Sequence, residues 1–573
     1  AIDLCMNYHP DELELWLIDF GTVTFKRYIK NAPPHVKYVL LGNERDYVFD
    51  IVDHILKVMS QREFIFSQNG WEKITDVPLD IYMPYIFVMI DEFSDMSDIL
   101  KSTKGEGYGS DYTIKLGEIL RKAAKYGFMF IFASQNYTSG VEGLTDAARK
   151  QIQQRIALKG SYQEIKATLE ISNDQISPRI EQYMRDLPVY QSIFKTRSTE
   201  GILNIEHLYN IYAEGTEIDN ALYTLLHSMM VNTDWEQRSD NNYMNKKPVY
   251  IDGVIPCSYE SQYPAYKEND YNSSNVLSNG DMLLYPGVPR SFHRIKSFRL
   301  SRGFSENILI AGGNPENEFS ILLSLYNYYK DTGKEVSIWA YERNSIYEKY
   351  KNIIPEEYVV TDVRKVCSLI EDLKSNIKSA TDKEQMIFVL GYEQFVIDME
   401  ILMEDAEKYT SDVPQVQENK DAGDFSVVKK RIAATNDPEE KKRIVAEYNE
   451  YIRKYNEQQS LLKNNRQILG WKEMPYIIKR APYYGTHFVF CFERAENAVQ
   501  NLKMDLFKHK MLFSMSLENS INISGTKKAN LLKPTICLYT NGNEEFTFQA
   551  HLHKNVPCNG WKITDDDAIV VTQ

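Results

Sequence analysis

The chain has 573 residues, room for two to four domains at roughly 100–200 residues each. Its 43% hydrophobic and 25% charged content are ordinary for a globular protein, and a net charge of −14 argues against a wholly basic nucleic-acid coat, leaving room only for a local basic channel. The six cysteines are scattered without a CxxC spacing, which excludes the usual zinc and disulfide frameworks and fits a reducing, cytoplasmic setting; no apolar run approaches the ~18 residues needed to cross a bilayer.

Residues 1–12 read as the tail of a helix or a loop. LELWLIDF (13–20) then reads as an apolar strand that ends in an acid, Asp19. HVKYVLLG (35–42) reads as a further strand. Over 45–63, Val48, Ile51, Val52, Ile55, Leu56 and Met59 recur at helical spacing. YIFVMIDEF (85–93) follows Pro84 and closes on two adjacent carboxylates, Asp91 and Glu92. A short apolar run bounded in this way predicts a buried strand of a parallel sheet, and ligands of such sheets sit beyond the carboxyl ends of the strands. Two acids there are costly to desolvate unless they hold a cation or pass on a proton. The alternative is a strand running out into a solvated acidic turn.

The spacing over 113–127 predicts an amphipathic helix stopped by Gly127, and FMFIFASQN (128–136) a strand ending in Ser134, Gln135 and Asn136. QQRIALKG (153–160) reads as a strand introduced by Arg155, with a short helix at 162–171. Alternating strands and helices predict an α/β fold with mainly parallel sheets. The stretch 232–280 is polar and reads as a boundary with irregular or short β structure; DMLLYPG and RIKSFRL, within 281–300, read as a β-rich entry to a second domain. The expected domains are therefore 1–231, a linker at 232–299, and 300–573.

The second half repeats the first. LELWLIDF at 13 is echoed by EVSIWAYE at 335, YIFVMIDEF at 85 by MIFVLGYEQ at 386, and YGFMFIFASQN at 126 by YGTHFVFCFER at 484; KMLFSMSLENS at 510 echoes QQRIALKGSYQE at 153 more faintly. The constant order is what a tandem duplication predicts. Tyr126 follows Tyr85 by 41 residues, whereas Tyr484 follows Met386 by 98. The surplus falls in a charged helical insert at about 402–466. Asp437 and Pro438 start its main helix, and Ile444, Tyr448, Ile452 and Tyr455 share one face, as in a hairpin packed against 402–435.

NILIAGGNPENEFS (307–320) leads from an apolar strand through Gly312 and Gly313 into a helix, where a phosphate loop would sit. Counted from Gly312, Glu318 falls where such a loop needs its lysine, and a carboxylate repels a triphosphate. The paired acids are also replaced, by Gly391, Tyr392 and Glu393. The second copy is thus expected to keep the fold without ATP hydrolysis. Gly312 precedes Glu335 by 23 residues, and the same spacing ahead of Leu13 falls before residue 1. The first copy's loop is expected upstream, and residues 1–573 alone are expected to bind ATP poorly.

The ordered set LWLIDF, PYIFVMIDEF, KYGFMFIFASQN and QQRIALKG resembles the FtsK/SpoIIIE family of ring-forming P-loop motor ATPases, over Leu15 to Gly160. The resemblance implies two tandem RecA-like domains, the first lacking its phosphate loop and the second degenerate, with ATP and Mg²⁺ as cofactors of the full-length protein. It implies that Asp91 supports Mg²⁺, that Glu92 activates water, that Ser134 and Gln135 border the nucleotide with Gln135 sensing its γ-phosphate, and that Arg155, or Arg121, reaches a neighbour's nucleotide in a hexameric ring. Bland alternatives stand beside these: a strand-end hydrogen bond for Gln135, a fold anchor for Arg155, a solvated helix charge for Arg121, a structural strand-end acid for Asp19. Two departures count against DNA, Asn136 where the family usually has Arg and Gly21-Thr22 in place of Pro-Lys. The first expectation is nonetheless translocation of double-stranded DNA. The second is a type VII secretion ATPase that moves protein, with the degenerate domain binding a peptide signal and a membrane-anchored region upstream. The third is a platform with no turnover.

Overall fold

The computed structural model describes residues 1–573 except 30–31, 43–44, 103–108, 136–143, 173–175, 198–202, 210–214, 232–248, 253–255, 274–276, 278–279, 292–294, 413–424, 559, 565–568 and 572–573. The chain forms two compact units, Ala1–Ile255 with Arg290–Arg294, and Pro256–Pro289 with Ile295–Gln573.

The first unit contains β1 (Leu13–Asp19), β2 (Val36–Leu41), β3 (Tyr85–Asp91), β4 (Phe128–Phe132), β5 (Arg155–Ala157), β6 (Gln191–Arg197), β7 (Leu203–Tyr209) and β8 (Val249–Asp252). Five of these make a parallel sheet in the order β4-β3-β1-β2-β8. The strands read as near-continuous apolar runs because both faces are covered. On one face Trp16, Ile18, Val88 and Ile90 pack with Val48, Ile51, Val52 and Ile55 of the helix Arg45–Asn69 and with Leu116 and Ile119 of the helix Gly109–Lys122. On the other, Leu13, Leu15, Leu17 and Met89 pack with Cys5 and with Leu222 of the helix Gly215–Val231. The strands β5, β6 and β7 form a separate antiparallel sheet with its own small core of Ala157, Ile165, Leu169, Met184 and Ile193.

The second unit contains β9 (Met282–Leu284), β10 (Val288–Pro289), β11 (Phe298–Leu300), β12 (Ile308–Ala311), β13 (Glu335–Ala340), β14 (Val359–Val360), β15 (Gln385–Leu390), β16 (Thr486–Phe492), β17 (His509–Leu512), β18 (Ile536–Thr540) and β19 (Glu545–Gln549). Its main sheet runs β10-β19-β18-β17-β12-β16-β15-β13-β14, parallel from β17 to β14 and antiparallel beyond β17. The run β16-β15-β13-β14 repeats β4-β3-β1-β2 strand for strand. Trp16 lies in register with Val88, and Trp339 with Val389. Trp16 meets Phe128 edge-on at 5.7 Å, and Trp339 meets Phe488 at 5.9 Å. The antiparallel trio β17-β18-β19 likewise repeats β5-β6-β7.

One strand breaks the match. In the second unit β12 pairs with β16 on one side and β17 on the other. Among the described residues of the first unit no strand joins β4 to β5, so β4 is a sheet edge. Its Met129 and Ile131 are 42% and 47% exposed, whereas every residue of β16 is buried.

The insert is a set of helices: Tyr392–Asp412, Phe425–Ala434 and the 32-residue Pro438–Leu469, which packs against both of the others. The Asp437 carboxylate caps the last of these, accepting the Glu439 N–H at 3.0 Å. Ile444 is buried and Tyr448 and Ile452 are half-buried, while Tyr455 is exposed. Within the polar stretch 232–280, 232–248 lies outside the described residues, and Tyr259–Ser273 is a helix rather than irregular structure. No helix among the described residues is long and apolar enough to cross a membrane.

Candidate functional site

The site of the first unit lies at the carboxyl ends of β3 and β4. β3 closes on Asp91, and Glu92 takes a left-handed backbone (φ 54°) before the helix Phe93–Ser102 begins. A non-glycine residue in that region costs about 1–2 kcal/mol, so its neighbours must over-determine it. They do. The Glu92 N–H donates to the Asp91 carboxylate at 3.1 Å, the Ser94 hydroxyl donates to Glu92 Oε1 at 2.6 Å, and the Gln135 amide donates to Glu92 Oε2 at 3.0 Å. The Phe93 N–H reaches the Ala133 carbonyl at 2.8 Å, tying the start of the helix to the end of β4.

The fold therefore brings Asp91, Glu92 and Gln135 together, with Ser134 exposed immediately before Gln135. Asn136 lies outside the described residues. Arg155 stands apart, on β5. It is buried, and its guanidinium donates to the carbonyls of Ile152, Thr168 and Arg149 and pairs with Glu170 at 2.9 Å. These contacts fasten the small sheet, and a guanidinium so engaged would have to break them to reach another subunit. Arg121 is exposed on its helix. Sequence reasoning passed over Ser94, although a serine two residues after the acid, at the start of a helix, is well placed to hold a carboxylate turned back over the turn.

The acids fit a divalent cation, because Mg²⁺ takes hard oxygen ligands, one or two carboxylates with water and phosphate completing the shell. Among the described residues no group of three or more His, Cys, Asp or Glu forms an all-protein metal cage. The first unit's described residues supply no phosphate cradle to go with them.

The second unit does have a cradle, and it is filled from within. β12 runs through Gly312 (φ 85°) and Gly313 into the helix Pro315–Lys330, capped by the Asn314 side chain. The Gly313 N–H donates to Glu318 Oε1 at 2.9 Å, and the Cys491 thiol lies 3.5 Å from Oε2. Glu318 is fully buried; burial, with Glu393 and Glu493 nearby, pushes its carboxyl up to about 8. A Cβ on Gly313 would sit 2.7 Å from the Phe513 ring. A carboxyl group of the chain thus takes the position of a phosphate, and these residues do not fit a triphosphate.

No family model matches the sequence, and no curated protein does. Solved structures do. EssC (ATPases 2 and 3) from Geobacillus thermodenitrificans is 11% identical and matches 96% of this chain and 88% of its own, with a TM-score of 0.50. The cytoplasmic domain of the type VII secretion ATPase EccC from Thermomonospora curvata is 16% identical and matches 96% of this chain, with a TM-score of 0.54; the chain spans 58% of that structure. The fold is that of tandem type VII secretion ATPase domains. The likeness is one of fold: the repeated strand order belongs to it, with Asp91 and Glu92 at the carboxyl end of β3.

Proposed function

We propose that the chain is the tandem-domain part of a secretion ATPase that moves protein substrates, with the first unit contributing to a nucleotide-hydrolysing site and the second serving as a catalytically silent module that binds a peptide signal. The observation that carries this reading is the likeness to tandem secretion ATPases across 96% of the chain, both units included. The net charge of −14 agrees with it better than with gripping a duplex by its phosphates, so protein takes the place of DNA as the expected cargo.

The phosphate cradle of the first unit is, in this proposal, a further strand, glycine loop and helix. The strand enters between β4 and β5, as β12 enters between β16 and β17, and its helix covers Met129 and Ile131. Bound Mg²⁺ and ATP would supply the charge neutralisation and the phosphoryl group. Asp91 would hold the cation. Glu92 takes the proton of the attacking water, and Gln135 fixes the carboxylate through the bond it already makes. The working particle is a homo-oligomeric ring.

The test uses the full-length protein. ATP turnover is measured with an export-signal peptide of a secreted substrate and, separately, with duplex DNA. Stimulation by the peptide and indifference to DNA are expected; stimulation by DNA alone would overturn the proposal.

A further inference from the structure

We infer that Asp19 is the second carboxylate of the divalent-cation site at the end of β3, completing with Asp91 a site that the reading above assigns to Asp91 alone. The inference rests on that reading. Asp19 is the last residue of β1 and lies in register with Asp91, the last residue of β3. Register partners on adjacent parallel strands are about 4.8 Å apart and send their side chains to the same face.

Asp19 is fully buried. Its Oδ2 accepts the Phe25 N–H at 3.0 Å, which folds the following loop back over the carboxylate. Its Oδ1 is buried and has no hydrogen-bond partner among the described residues. A buried carboxylate oxygen with nothing to meet it costs several kcal/mol, and a cation or its bound water removes that cost. Gly21 keeps the space open, since a Cβ there would stand 3.3 Å from Oδ1.

Matched through Trp16 with Trp339 and Val88 with Val389, the second unit has Glu342 at the position of Asp19 and Tyr392 at that of Asp91, so the pair of acids exists only in the first unit. The pair suits a small hard cation of the Mg²⁺ or Mn²⁺ class, held by two carboxylates with water in the remaining positions.

The experiment is Mn²⁺ binding to residues 1–573, read from the loss of the free-ion EPR signal, for the wild type, Asp19→Asn and Asp91→Asn, with Mg²⁺ competition. Asparagine still accepts the Phe25 N–H, so the loop keeps its fold. Each variant is expected to weaken Mn²⁺ binding about 10–100-fold. If Asp91→Asn weakens it and Asp19→Asn does not, Asp19 is excluded and the role of Asp91 stands. If neither changes it, both assignments fall. Should Asp19→Asn not fold, Gly21→Ala replaces it: crowding of Oδ1 is expected to weaken Mn²⁺ binding, and unchanged affinity overturns the inference.

Discussion

Gln135 donates its amide to the Glu92 carboxylate at 3.0 Å across the gap between two neighbouring strand ends. The residues lie 43 positions apart in the sequence. A general base has to be aimed as well as basic, and in the mechanism proposed above this bond supplies the aim.

Replacing Glu92 therefore separates two properties of one residue. In the full-length protein Glu92→Gln is expected to cut ATP turnover about 10²–10⁴-fold. Glu92→Gly and Glu92→Ala lose the same carboxylate but differ at the left-handed backbone. Glycine is expected to be the more stable by about 1 kcal/mol, read as a higher unfolding temperature of the first unit. Equal melting of the two would show that the backbone there carries no strain.

Arg155→Ala leaves the carbonyls of Ile152, Thr168 and Arg149 without their donor. A loss of about 1–3 kcal/mol is expected, felt first in the small sheet β5-β6-β7 as faster proteolysis near 155–209. Lysine cannot restore it, because a single ammonium does not reproduce the forked contacts. Normal stability with lost turnover would instead reinstate Arg155 as a group that reaches a neighbour's nucleotide.

The open edge of β4 makes a prediction that depends on the length of the protein. Ile131→Thr is expected to change the stability of residues 1–573 by less than about 0.5 kcal/mol, because the side chain is half exposed there. In a protein that includes the further strand and helix, the same substitution sits in a covered core and is expected to cost about 1–2 kcal/mol. Chemical denaturation of both forms checks this; equal effects would mean that no helix covers that face.

Glu318 gives the second unit a pH dependence of unusual sign. In the unfolded chain this carboxyl titrates near 4.3, whereas burial in the fold moves it to about 8. Between those values the folded form holds the proton and the unfolded form does not, so stability falls as pH rises through the window. The isosteric Glu318→Gln variant is expected to flatten this loss, seen by comparing melting at about pH 5 and about pH 8. Parallel slopes for the two proteins would rule the effect out.

The strands that carry the candidate site were legible because a strand buried on both faces spells itself as an unbroken apolar run. LWLID and YIFVMID fall on β1 and β3, and the repeat at 335, 386 and 484 falls on β13, β15 and β16. The helix Tyr259–Ser273 was not legible. It holds Pro264 and a run of polar residues, and its burial rests on Tyr259 and Tyr266, too few for a helical period to emerge. The strands β6, β7 and β19 were missed because these antiparallel strands mix polar and apolar residues, whereas β18, short and buried throughout, was simply passed over. Asp91 and Glu92 announced themselves as a pair and Ser94 could have been read from its place at the helix start, whereas the unmatched oxygen of Asp19 is visible only in three dimensions.

The carboxylate seated on the Gly313 amide has a further implication. A domain that burns nucleotide changes shape with what it holds, because its glycine turn is ordered by a visiting anion. Here the group that meets the turn is covalently part of the chain, so the turn stays set without a visitor. Such a domain can serve as the unvarying member of a machine whose other member cycles, presenting the same surface to a partner at every stage of the stroke.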